Sequence, residues 1–516
     1  MKLRRRLQLL RSAVTGRVPM AGSVARYAGG APSRILAQWF AELEDPNRHL
    51  RDTLSSLRAR SRQLSEDNGE AEGLLKDFES DIVGHVGARL QFRARRPRGA
   101  PRDTLNDRVE AAWATWSQMG TCTLDGAFSL AALQRLVIRS VIRDGEFLAL
   151  RVRAANNPFF YALQPVDPDQ LDETLNREAQ PGRNAIVMGV EVDGNGRPVA
   201  YHLWDRHPSL PGRQRRPEPA ANVVHVFKRL RVGQVRGVPW FAPALVTWKL
   251  GDRYTEAELY QSLLAAAQGG FFESEEGGGF ELPKGEDGKP LPLVMEAEPG
   301  TARVLPAGYK FTAWEPKHPT ANYGVFMKAV KRIVARAFGR SYASVTGDLS
   351  DVNFSSMRID REREKAQNRV HQHEILVEQF LDVVFRDWLS MQIMAGTLGA
   401  VAESSAALAS FATWMLVGWP WIDPVKDATA ALMELNMGVT SPQRIAAEKG
   451  RDYFEIIDEI ADARAYAVDK KVPLEAVPLA IAVTVTDAPA DPNADPNAAP
   501  TQNKAGRVLP LRVEAA

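Results

Sequence analysis

Four carboxylates, Asp144, Glu146, Asp167 and Asp169, stand near the ends of segments that read as strands. Acids so placed are raw material for general acid–base work or cation binding. No second group is spaced to pair with any of them, and turn formation accounts for all four. His371, His373 and Glu374 come nearest to a metal-ligand cluster. They lie in a helical pattern, where residues i and i+2 point about 200° apart, so the two histidines share no ion unless the helix breaks. Gly285 to Lys289 offers glycines and a lysine, but Pro290 follows where a phosphate loop needs Ser or Thr. There is no HExxH and no GxSxG, and the single cysteine, Cys122, has no local activator. The pattern makes no case for an enzyme, a cofactor or a bound metal.

The remaining chemistry is cationic. One loop carries Arg93, Arg95, Arg96, Arg98 and Arg102, punctuated by Pro97 and Pro101; another carries Arg213, Arg215 and Arg216 between Pro211 and Pro217. Both read as solvated loops, with contact to nucleic acid or an acidic surface as the functional alternative. Lys328, Lys331, Arg332 and Arg336 share one side of a helical stretch that has no acid on it. The whole chain is not a polyanion binder by bulk charge: its 516 residues carry a net charge of +2. With 45% hydrophobic and 25% charged residues, it builds ordinary cores and favours more than one structural region. The basic N-terminus lacks the apolar core of a signal peptide. The uncharged run from Ser404 to Ile422 is interrupted by serines, Gly418 and Pro420, and is read as interior rather than membrane-spanning.

These residues sit in a chain of long helices around a strand-rich block. Helical patterns cover about 51–83, 105–118 and 130–143. Period-two segments follow at 147–152, 161–166, 186–192, 199–203 and 223–227, with a turn at Asp193-Gly194-Asn195-Gly196. A turn-rich loop (Gly233, Gly237, Pro239, Pro243) leads into a helix over about 244–268. Its apolar stripe is Ala257, Tyr260, Leu264, Ala267 and Phe271. A polar excursion with strand candidates at 303–305 and 309–314 separates it from a second helix, about 323–338, whose stripe is Phe326, Val330, Ile333 and Ala337. A helix of about 60 Å runs from 355 to 394, polar first, then striped by Val377, Leu381, Val384, Trp388 and Met391, with Asp382 and Arg386 at ion-pair spacing. Three punctuated helices follow Pro424, and from about Val485 an Ala/Pro/Asp/Asn-rich tail reads as disordered. Helix, excursion, helix, with small residues on the stripes and no catalytic constellation, suits a component of a closed ring.

Several stretches, taken in order, resemble the lambda-type family of tailed-phage portal proteins. They are Ser61-Arg62-Gln63-Leu64, Asp144-Gly145-Glu146, Pro165-Val166-Asp167-Pro168-Asp169, Gly189-Val190-Glu191, Gly196-Arg197-Pro198-Val199-Ala200-Tyr201, Gly233-Gln234-Val235-Arg236-Gly237-Val238-Pro239-Trp240, Thr346-Gly347-Asp348, Asn353-Phe354-Ser355-Ser356-Met357-Arg358 and Trp419-Pro420-Trp421-Ile422-Asp423-Pro424. Together they span about 30–465. The chain departs at Ser65-Glu66-Asp67-Asn68-Gly69, where the family commonly has Asn-Asn or Asn-Pro, and at Phe354, where tyrosine is frequent.

The resemblance implies a helix-rich α+β subunit. Its expected parts are a flexible basic arm (1–45), a wing of helices and sheet (46–232), stem helices (233–272 and 320–345), a β-containing clip (273–319), a wing return with the long channel-side helix (346–423), crown helices (424–484) and a disordered tail (485–516). It implies a homo-oligomeric, dodecameric ring at one capsid vertex through which double-stranded DNA is packaged and later ejected. Implied partners are the large terminase subunit, the major capsid protein and head-completion or adaptor proteins, in the virion and, during assembly, the host cytoplasm. The two stem stripes are then expected to face each other. Lys328, Lys331, Arg332 and Arg336 would either line the channel or pair with Glu256 and Glu258 of a neighbour, pairing being preferred because basic walls hold phosphates. A membrane channel through 404–422, a hydrolase at His371/His373 and a monomeric DNA-binding protein using the arginine loops remain the alternatives.

Overall fold

The computed structural model describes residues 43–94, 103–153, 155–266, 270–274, 309–313, 322–350, 352–399 and 404–472. The expected arm, Arg95, Arg96, Arg98, Ala267, the 303–305 strand, most of the 273–319 excursion and the tail lie outside them. The chain divides into two units, Met1–Pro420 with Ala447–Gly450, and Trp421–Ala446 with Arg451–Ala516.

The first unit opens with three helices, α1 (Pro46–Arg51), α2 (Leu54–Asp67) and α3 (Gly69–Ile82). The sequence pattern suggested one continuous helix here. Asn68 breaks it: its side-chain oxygen accepts from the amides of Glu70 and Ala71 (3.0 and 3.1 Å), capping α3 one residue after α2 ends. Strand β1 (Arg89–Phe92) and helices α4 (Asp103–Trp116) and α5 (Leu130–Arg143) follow. The sheets are a three-stranded β3-β2-β8 (β2 Glu146–Arg153, β3 Tyr161–Val166, β8 Val223–Phe227) and a four-stranded antiparallel meander of β4 (Ala185–Val187), β5 (Val190–Val192), β6 (Pro198–Trp204) and β7 (Arg215–Pro219). The expected strand at 186–192 is thus two strands, turned at Met188 and Gly189, both with positive φ (46° and 82°). The expected basic loop at 215–216 belongs to β7, paired with β6.

Helix α6 (Leu245–Ala266) ends before the predicted stripe does. Phe271 lies in strand β9 (Gly270–Ser274), which pairs antiparallel with β10 (Tyr309–Ala313). Helix α7 (Tyr323–Ala337) and short α8 (Tyr342–Thr346) lead to the long helical run: α9 (Phe354–His371), a π-helical stretch Gln372–Leu381, and α10 (Asp382–Ala395). Of that run's predicted stripe, Val377, Leu381, Val384 and Trp388 are buried. Asp382 accepts from the Trp414 indole (2.7 Å) rather than pairing with Arg386. The run proposed as interior is short helix α11 (Ser405–Ala409) and strand β11 (Ala412–Met415), the latter paired with β1. Among the described residues no helix is long and apolar enough to cross a membrane.

The core is aromatic. Trp113 lies 4.8 Å from Trp116, 5.1 Å from Trp388 and 5.3 Å from Phe385, ring centre to ring centre, and Trp116 donates to the Tyr161 carbonyl (2.9 Å). Each such ring contributes about 1.5–3 kcal/mol by burial. The second unit holds α12 (Pro424–Asn436), most of α13 (Pro442–Glu448) and α14 (Tyr453–Asp469), with caps at Asp423, Ser441 and Asp452. Its buried described residues are few, Ala446, Asp452 and Ala467.

Two glycines let the α5–β2 turn meet the loop before α6. A Cβ on Gly237 would lie 2.0 Å from the Gly145 carbonyl oxygen. One on Gly145, at φ 94°, would lie 2.7 Å from the backbone of Val238 and Pro239. Gly145→Ala and Gly237→Ala are each expected to abolish soluble folded protein or lower the melting temperature sharply. Gly73→Ala, on open helix surface with nothing within 4 Å, should raise stability by up to about 1 kcal/mol. Thermal melts of the three variants test this.

Candidate functional site

Charge in the first unit concentrates where four of the sequence stretches described above converge. Glu146 begins β2, directly after the Asp144-Gly145 turn, and is fully buried. Its carboxylate accepts from Arg236 Nε (2.9 Å) and Nη2 (2.5 Å), Arg58 Nη2 (2.9 Å), the Gly237 amide (2.9 Å) and His225 Nε2 (3.0 Å). Burial works to raise its pKa, but the Arg236 charge and the His225 hydrogen bond more than offset that and hold it well below the usual carboxylate range. His225 is pushed down by burial, against the pull of Glu146, so the neutral ring donates its Nε2 proton.

Arg58, on α2, forks: Nη2 reaches Glu146, Nη1 reaches Asp169 (2.6 Å), and its pKa is raised because both acids outweigh its burial. One turn on, Arg62 spans Asp144 (2.7 Å), Asp169 (2.7 Å) and Asp167 (3.0 Å). Arg143 closes on Asp144 (2.9 Å). The spare donors of Arg236 go to the carbonyls of Met188 (2.9 Å), Pro168 (3.3 Å) and Leu171 (3.4 Å), tying in the second sheet and the positive-φ Met188. Asn47 on α1 brackets the same loop, donating to the Gly233 carbonyl (2.9 Å) and accepting from the Val235 amide (3.0 Å).

The four acids are therefore paired, which corrects the expectation that turn formation suffices for them. Asp167 does both: it also caps the 3-10 turn Pro168–Gln170. Arg143 apart, which adjoins Asp144, the arginine partners lie 82 to 111 residues away in sequence, beyond the reach of any spacing rule. The available signal was that Arg236 is the one charge in an otherwise turn-like stretch, Val232 to Trp240. Asp167, Asp169 and His207 lie close enough to hold a cation, but Arg58 and Arg62 already occupy both carboxylates. Chemically this is a clamp: an ionised, fully coordinated Glu146 offers neither a proton nor an open position.

A third buried arginine repeats the arrangement just beyond the end of α7. Arg340 bonds Asp81 (2.7 Å) and Asn368 (3.2 Å) and lies 4.1 Å over the Phe78 ring; Glu364 accepts from the Ser341 amide (2.9 Å) and the Ser344 hydroxyl (2.8 Å). His371 sits beside Trp240 (4.7 Å), with its pKa pushed to about 3 by burial and then by Lys228 and Arg340. His373 instead pairs with Glu378 (3.1 Å), so the two histidines diverge.

Helices α6 and α7 meet along a line other than the predicted stripes. Gly251 opens the contact, with Val330 at 3.3 Å and Met327 at 3.6 Å of its missing Cβ. Tyr254 lies 5.3 Å from Phe326, and Tyr323 donates to Thr255 (3.2 Å). Glu258, Met327, Val334 and Ala335 are buried, whereas Ala257, Tyr260, Phe326, Ile333 and Ala337 are exposed; of the predicted stripes, Val330 and one side of Phe326 meet the partner helix among the described side chains. The Leu264 side chain lies outside the described ones. Phe326, Ile333 and Ala337 lie about 100° around α7 from its buried line, and periodicity cannot say which of two apolar flanks is covered.

The cationic face is divided. Lys331 pairs with Glu70 of the same chain, which corrects the reading that it is left over for a lumen or a neighbour. Lys328 and Arg332 lie 5.6 and 5.8 Å from the Tyr342 ring centre, and Arg336 is exposed. Arg93 lies 3.7 Å from Glu110; Arg215 pairs with Asp172; Arg213 and Arg215 lie 4.8 and 4.9 Å from the Trp204 ring centre; Arg216 is exposed.

Glu146→Gln leaves the buried Arg236 guanidinium without a counter-charge and Arg58 with Asp169 alone, and is expected to cost about 3–5 kcal/mol in urea unfolding. Because the folded-state pKa of Glu146 is depressed, its contribution is complete above the ordinary carboxylate pKa and is lost as pH falls below it. Wild-type stability should therefore decline steeply under acid, and the Gln variant should lose most of that dependence.

A family model for phage portal proteins of the lambda family matches residues 32–372. A probable portal protein of Halomonas phage phiHAP-1 is 30% identical over 415 residues, 79% of each chain. The portal protein of Escherichia phage N15 is 24% identical, over 83% of this chain and 87% of its own, and portal protein B of Escherichia phage lambda 22%, over 84% and 89%. The neck of a native gene transfer agent particle with C12 symmetry superposes with a TM-score of 0.42 at 14% identity, over 77% of this chain and 93% of its own, too distant to carry weight here. A model match over more than half of its length, beside a relative at 30% identity, shows that the chain belongs to the lambda family of phage portal proteins.

Proposed function

We propose that copies of this chain close into a ring at a capsid vertex, with α6 and α7 as the stem, and that genomic DNA passes through its channel in packaging and ejection. Family membership supports the role, and portal proteins of this family are structural rather than enzymatic. What supports the stem is the uncovered surface of the helix pair. On α6, Val246, Leu250, Ala257 and Tyr260 form one exposed flank; on α7, Phe326, Ile333 and Ala337 form another. Two different apolar flanks on one pair suit a head-to-tail contact repeated by rotation, since a two-fold dimer needs only one self-complementary patch. Exposed Arg332 and Arg336 are proposed to meet Glu256 of the next copy; Glu258 is buried within its own subunit and is unavailable.

The remaining parts follow the family layout as proposals: wing at 46–232 and 346–423, clip at 273–319, crown at 424–484. The crown reading has its own support, because Met433, Phe454, Ile457 and Ile460 are exposed in a unit with little core. Twelve subunits, the terminase, the capsid protein and the head-completion proteins are proposed on family grounds.

Light scattering of the purified chain tests the ring directly. Leu250→Asp and Ile333→Asp are expected to leave the subunit melting temperature nearly unchanged, as surface changes usually do, while abolishing the ring. A ring that survives both substitutions would overturn the stem assignment.

A further inference from the structure

At the root of the stem, a cleft of about 430 Å³ opens between the Lys228–Pro243 segment, the end of α7 and the last two turns of α9. Its walls are apolar, from Leu230, Val238, Pro239, Pro243 and Phe338. Four polar side chains line it as well, Lys228, Trp240, Gln367 and His371. The Trp240 indole N–H and His371 Nδ1 are buried and make no hydrogen bond. The Gln367 amide abuts Gly339 and makes none. Lys228 lies 4.9 Å over the Trp240 ring, with no carboxylate at ion-pair distance. Burial lowers the Lys228 pKa and the nearby Glu374 only partly opposes this.

An ammonium, an indole N–H and an amide around one space form a donor set for an anionic acceptor. Leaving the indole N–H buried and unsatisfied costs about 1–3 kcal/mol, which an incoming acceptor recovers. The apolar walls favour an acid carried on a side chain over a phosphodiester backbone, whose charge is repeated and strongly hydrated. The position indicates the bearer. The exposed flank of α7 ends at Ala337, which itself lines the cleft, so whatever covers Phe326 and Ile333 reaches the cleft mouth. We propose that this cleft receives an Asp or Glu side chain from the neighbouring copy in the ring, with Lys228, Trp240 and Gln367 as its donors. The inference rests on the ring reading given above.

Zero-length carbodiimide coupling on the full chain tests it, using rings assembled from a mixture of isotopically light and heavy copies. The expected product is an amide between Lys228 and an acidic residue of opposite label. Lys228→Arg should keep the ring but lose the link, and Lys228→Met should dissociate at a lower denaturant midpoint than wild type. The proposal is overturned if Lys228 is recovered unlinked from rings or links only to Glu374 of its own chain, or if Lys228→Met rings dissociate at the wild-type midpoint. It is equally overturned if the cleft of the ring holds a free anion. A wild-type chain that forms no ring in light scattering fails the proposed function itself, a result separate from any of these.

Discussion

A single buried carboxylate, Glu146, sets the terms for the first unit. An ion at this depth is tolerated only with its acceptor sites filled, and filling them requires Arg58 from α2, Arg236 and the Gly237 amide from the loop before α6, and His225 from β8. Four segments must therefore arrive together. The glycine pair at 145 and 237 permits the approach, since a side chain on either would strike backbone. Such clamps contribute less to net stability than to uniqueness, because a half-formed junction leaves charge buried without a partner. The same atoms fix the direction in which the chain leaves the sheet for α6.

Around that clamp the molecule is unevenly filled. The aromatic core of Trp113, Trp116, Phe385 and Trp388 is fully enclosed, whereas α6 and α7 share a narrow seam and keep apolar flanks open. The long helical run connects the two regimes. Its first part is an exposed ladder of i,i+3 ion pairs, Asp360–Arg363 and Glu362–Lys365. Its π-helical stretch then turns Gln372 towards the carbonyls of Ile82 and Val417, and beyond that it is core. Apolar flanks left open on a subunit are the kind of surface at which proteins meet partners.

Local punctuation was legible in the sequence because its physics is local. The caps at Ser441 and Asp452 and the positive-φ glycines at 438 and 450 bound the punctuated helices that follow Pro424. Helix α5 and strands β2, β3, β6 and β8 fall within a residue of their periodic patterns. Where a short polar side chain could end one helix and begin another, as Asn68 does, the apolar pattern ran straight through, since both helices bury the same side.

What the sequence determined alone is therefore most of the longer elements, the absence of an enzyme motif, and, through ordered stretches of resemblance, the family. What the tertiary structure decided is which surfaces those elements spend on one another. A stripe at helical spacing shows that a face is apolar but not what covers it, so Tyr260 and Ile333 read as core while Gly251, which no hydrophobic scan would choose, marks the seam. Charge obeys the same limit. Asp144, Glu146, Asp167 and Asp169 have partners some 80 to 110 residues away, and Lys331 has its counter-charge 261 residues away at Glu70. Pairing of that kind depends on distance through space, which the order of residues along a chain does not contain.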